Sequence, residues 1–175
     1  MMYRVIIAVA FFCYGLQANQ RPFFQAKRSQ PYHLSVGAVL FNEEGLVACH
    51  HFKNLMGHKD FYILMRESME DGETILQTLD RGLVEEFGAT AKPAAFLGCL
   101  TGYLPDDQFP FDKSTLYIAC QCISWDPNKR DAHDPEAIST IEWLEPEMLI
   151  QRMQMQGAKF HRVDADESED GQTCS

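Results

Sequence analysis

From His33 to Leu144 the apolar residues fall into short runs bounded by turn residues, and one stretch switches to helical spacing. His33 to Phe41 is mostly apolar and includes the β-branched Val36 and Val39. Asn42 to Gly45 has the composition of a turn, and Leu46 to His51 resumes the pattern, which predicts a hairpin. Phe61 to Met65, Ala94 to Thr101, Ser114 to Ser124 and Ser139 to Leu144 read as further strands. Pro146 to Met155, with Met148, Leu149 and Met153 ahead of Gly157, predicts a closing helix.

The strongest local signal is a helix from about Thr74 to Phe87. Thr74 followed by Gln77 fits a capping box, Leu76, Leu79, Leu83 and Phe87 form one apolar stripe, and Gly88 is a stop. At about 100° per residue, Arg81 and Glu85 fall opposite that stripe and Glu86 lies on its flank. Strands interleaved with these two helices make an α/β domain over 31–160, between an N-terminal leader or extension (1–30) and an acidic tail (161–175) expected to be disordered.

Charge alters this picture. The 175 residues carry a formal net charge of −10: +4 over residues 1–30, −5 in the tail from Asp164, and −9 between. So acidic a domain argues against a nucleic-acid groove, because phosphate-backbone affinity comes from Lys and Arg. The start, Met1 to Arg4 and then an apolar run to Phe12, has the grammar of an export signal. The run is too short for a stable membrane span, and Leu16 spoils the cleavage site after Ala18. A buried strand, or sequence upstream of the true start, reads equally. The six cysteines (13, 49, 99, 120, 122 and 174) are not needed as staples in a chain of this size, and Cys120 and Cys122 share one strand face as buried thiols. The cysteines favour a reducing, cytoplasmic setting over export through 5–16.

Candidate chemistry centres on Glu85 and Glu86, placed in the last helical turn where the macrodipole disfavours acids by about 0.3–1 kcal/mol each. Two readings account for the pair: solvated surface acids, or hard oxygen ligands for Mg²⁺ or Mn²⁺. Spacing separates them. Glu73-x7-Arg81-x-Leu83-x-Glu85-Glu86-x-Gly88-Ala89 resembles the signature of Nudix hydrolases, Gly-x5-Glu-x7-Arg-Glu-U-x-Glu-Glu-x-Gly-U with U a bulky aliphatic. The loop Ser68 to Glu73 and the order of flanking strands agree with it, over about 33–155.

The resemblance implies an α/β/α sandwich with a mixed central sheet and a catalytic helix at about 74–87. It further implies divalent-metal-dependent hydrolysis of a diphosphate linkage in a nucleoside diphosphate derivative or similar small molecule. By position, Glu85 and Glu86 would hold metal, and Glu73 would pair with Arg81. Metal-loaded carboxylates can receive a diphosphate that bare ones repel. Two positions depart from the signature: Glu67 stands for its first Gly, and Gly82 for the Glu after the Arg. Glu67 could return the missing acid, making it a catalytic and metal residue with Glu73, Arg81, Glu85 and Glu86. An acid among Asp106, Asp107, Asp112, Asp134 and Glu136 could serve instead. The third outcome is a catalytically impaired Nudix-like binding or regulatory module.

Other candidates stand apart. His50 and His51 adjoin on a strand, face opposite ways and read as structural. Tyr103, Phe109 and Phe111 flank Pro105 to Asp107, as a base-stacking group or a cover for the core edge. A homodimer is compatible with the sequence.

Overall fold

A computed structural model describes residues 32–55, 58–104 and 111–156. Its sheet runs in the order β3 (His58–Ile63), β2 (Val47–Leu55), β1 (Tyr32–Phe41), β6 (Phe111–Trp125), β5 (Ala89–Leu104), with β4 (Met65–Ser68) paired to β1 and β7 (Thr140–Leu144) paired to β2. β1 and β6 are parallel over ten residue pairs, Tyr32↔Asp112 to Phe41↔Gln121, and the other pairings are antiparallel, so the sheet is mixed.

The hairpin forms at Asn42 to Gly45, where Asn42 Oδ1 accepts from the amides of Glu44 and Leu46 and Gly45 supplies φ 81°. Beyond Phe41↔Val47 the two strands part, because β1 pairs β4 and β6 while β2 pairs β3 and β7. That divergence also breaks the strand expected over Phe61 to Met65 in two: β3 follows β2, and after Leu64 the chain passes to β1 as β4. β5 and β6 are longer than the apolar runs suggested. Pro93 is tolerated within β5 because, among the described residues, β6 alone pairs that strand.

The helix α1 (Ile75–Phe87) has both halves of the capping box, with Thr74 Oγ1 accepting from the Gln77 amide and Gln77 Oε1 from the Thr74 amide; Gly88 ends it at φ 65°. Its buried face is Thr78, Leu79, Gly82, Leu83, Glu86 and Phe87. Leu76, expected on that stripe, is 53% exposed, because the face turns toward Gly82 and Glu86 where β4 lies across the helix. Leu79, Leu83 and Phe87 pack with Val36, Ala38, Leu40, Met65 and Cys120 on one side of the sheet. On the other side Leu149 and Met153, from the helix at 146–156, close over Val47, Cys49 and Tyr62. Helix, sheet, helix is the expected layering.

Cys49 and Cys120 are buried free thiols, Cys122 is half-buried and Cys99 exposed. Among the described residues no helix is long and apolar enough to cross a membrane. The leader, the acidic tail, Asp106, Asp107 and Phe109 lie outside the described residues.

Candidate active site

Arg81 organises the loop between β4 and α1. Its Nε and Nη2 donate to the two oxygens of Glu73 at 2.8 and 2.9 Å, a bidentate fork, and Nη2 also reaches the Ser68 carbonyl at 2.8 Å. Nη1 lies 3.2 Å from Glu67 Oε1 and 3.2 Å from Glu85 Oε2. Glu73 Oε2 further accepts from Thr78 Oγ1 and from the Glu70 amide. These donors, Arg81 first, hold the Glu73 carboxyl down at about 2. Arg81 thus stands opposite the buried face, as helical spacing suggested, and the loop folds over it.

Around Arg81 the acids crowd. One carboxylate oxygen each from Glu67 on β4, Glu85 on α1 and Asp134 in the β6–β7 connection lie within 4.8 Å of one another. Asp134 caps the 3₁₀ turn Pro135–Ile138, its carboxylate accepting from the Glu136 amide. Burial, opposed by Arg81, raises Glu67 above the usual carboxylate range; burial and the neighbouring Asp134 raise Glu136. Half-buried carboxylates that share one guanidinium, itself committed to Glu73, are a donor set that suits a hard cation. Asp112, by contrast, is exposed at the start of β6.

Glu86 lies deeper. It is 2% exposed and its Oε2 is 2.7 Å from His50 Nε2, while the Arg66 amide bonds the carboxylate. His50 Nδ1 meets Ser139 Oγ at 2.8 Å. The Ser139 hydroxyl donates to the Glu136 carbonyl, so it accepts from His50 Nδ1–H, and neutral His50 turns a bare Nε2 toward Glu86. Both shifts agree with a neutral pair: burial, aided by Arg130, pushes His50 down to about 3, and burial, then Glu136, Glu67 and Asp134, pushes Glu86 well above its usual range. Arg130 laces this floor together through the carbonyls of Glu86, Glu136 and Ser139.

The two histidines do face opposite ways. His51 bonds Glu142 at 2.6 Å and Asp60 at 2.9 Å on the far side of the sheet and stacks on Tyr62. His50, read as structural, is fully buried and supports the acid floor. Nothing local in the sequence announces that contact, since β2 and α1 meet there across 36 residues. Tyr103 is exposed on β5.

Glu73 pairs with Arg81 and the loop leads into the helix as the resemblance implies, whereas Glu86 is buried apart from the group of Glu67, Glu85 and Asp134. The NUDIX domain family matches residues 31–163, most of the 175-residue chain, and the chain belongs to that family. Among solved structures it is similar to a NUDIX hydrolase from Nitrosomonas europaea, at 16% identity and a TM-score of 0.53, over 75% of this chain and 88% of that one. It is likewise similar to the E. coli ORF135 protein, at 16% identity and a TM-score of 0.51, over 74% and 84%. At that identity the likeness speaks to the fold. No curated protein matches.

Proposed function

We propose that the chain is a pyrophosphohydrolase that cleaves a diphosphate linkage in a nucleoside diphosphate derivative or similar small molecule, using Mg²⁺ or Mn²⁺. The observation that carries the reading is the convergence of Glu67, Glu85 and Asp134 beside the Glu73–Arg81 pair. Glu67 and Glu85 would hold the cation with Asp134. Glu86, which the resemblance implied as a ligand, is buried beneath them against His50 as a neutral support of the acid group. The cation supplies Lewis-acid stabilisation of charge growing on the diphosphate oxygens. Arg81 keeps the loop and helix in register, and a carboxylate of the group takes the proton of the water that attacks phosphorus.

The second reading is a catalytically impaired binding or regulatory module, favoured by Gly82 in place of an acid. A hydrolysis panel with Mg²⁺ and Mn²⁺ separates them, spanning nucleotide sugars, ADP-ribose, dinucleoside polyphosphates and nucleoside triphosphates. Turnover of at least one class, lost in Glu85→Gln, supports the enzyme. Cation-dependent binding without turnover of any class supports the module.

A further inference from the structure

Gly82 is a mid-helix glycine without a positive φ to justify it, in a position where glycine is disfavoured. Its reason lies across the packing contact. A Cβ at position 82 would stand 2.5 Å from Glu67 Cβ, 3.1 Å from Glu67 Cγ and 3.2 Å from Met65 Sδ. The aliphatic stem of Glu67 therefore rests in the notch that the missing side chain leaves. From there its carboxylate reaches Arg81 Nη1 at 3.2 Å, accepts from the Ser68 amide at 2.7 Å and joins Glu85 and Asp134. An acid rooted at 82 would need the same space.

We infer that Glu67 and Gly82 form one reciprocal exchange: the carboxylate is carried by β4 instead of the helix, and Gly82 is the positioning residue that seats it. The inference rests on the proposed cation site but makes its own demand. Each half of the exchange is unfavourable without the other, so adding an acid at 82 to the native chain harms the site instead of restoring it.

The test is a double-mutant cycle on Glu67→Gly, Gly82→Glu and the double variant, with Gly82→Ala and Glu67→Gln beside them. The readouts are MnCl₂ binding by calorimetry and urea unfolding in EDTA. Glu67→Gln, which keeps the stem, is expected to weaken Mn²⁺ at least tenfold. Gly82→Ala removes no carboxylate and is expected to weaken it several-fold. Gly82→Glu lowers the urea midpoint without tightening Mn²⁺, and the double variant recovers both midpoint and affinity to within about threefold. Native or tighter Mn²⁺ binding by Gly82→Glu alone, or unchanged binding by Glu67→Gln, overturns the inference. Equal Mn²⁺ uptake by native protein and Glu85→Gln, or none by either, defeats the cation reading; the seat is then judged by unfolding alone. It stands if Gly82→Glu costs less in the Glu67→Gly background and falls if the cost is the same in both.

Discussion

Replacing His50 by Ala removes a ring with no solvent exposure that lies 4.8 Å from the Phe87 ring and 5.7 Å from that of Phe52. The cavity left in so enclosed a place costs about 2–4 kcal/mol, by analogy with other large-to-small core changes. Glu86 then loses the partner of its Oε2 at 2% exposure, and an orphaned buried polar group costs a further ~1–3 kcal/mol. Together these remove about 3–7 kcal/mol from a domain of ordinary stability. Urea unfolding at pH 7 would read this as a midpoint lowered by about 1.5–3.5 M, for a slope of about 2 kcal/mol/M. His50→Leu, of similar volume, keeps the packing and loses only the hydrogen bonds, so it should cost about 1–3 kcal/mol. A loss below about 1 kcal/mol for His50→Ala would refute the claim that His50 holds Glu86 in place.

The other expectations concern the loop, the core and the cation. The Glu73 carboxyl is held down at about 2 by Arg81, so its contribution is complete above the unfolded value near 4.5 and is lost as pH falls toward 2. The stability gap between native protein and Glu73→Gln should accordingly be about 1–2 kcal/mol at pH 6, allowing for solvent screening of a partly exposed pair, and close by pH 2 in urea titrations. Arg81→Lys cannot reproduce the fork to Glu73 and should slow turnover at least tenfold while costing only about 1–2 kcal/mol in unfolding. Leu83→Ala, at 1% exposure in the face of α1 against the sheet, should cost about 2.5–4 kcal/mol with Mn²⁺ affinity per folded molecule nearly unchanged. Millimolar Mg²⁺ should raise the melting temperature of the native protein by a few degrees and that of Glu85→Gln by much less.

What the sequence made legible was local. Thr74, Gln77 and Gly88 bound α1 within one residue of where the pattern put it, and Glu73 reaches Arg81 because eight residues of loop and helix close on themselves. The two departures were visible too, but not their contact: Glu67 and Gly82 are far apart until β4 crosses the helix. The same crossing explains Leu76. A stripe drawn by apolarity included it, whereas the packed face admits a glycine and a glutamic acid because a strand and a histidine cover them. His50 and Asp134 come from distant strands and turns, and sheet register alone brings them to the helix. The break between β3 and β4 was hidden for a related reason, since a chain that changes partner strand need not change its composition.

The central claim is that this acid group turns over a diphosphate with a divalent cation. Phosphorus NMR of the native protein with the substrate panel and Mg²⁺ tests it directly. The account predicts that at least one diphosphate resonance gives way to the phosphate esters of hydrolysis, and that EDTA or Glu85→Gln stops this. Diphosphate signals that persist for every class, while the protein demonstrably binds the cation, would contradict it.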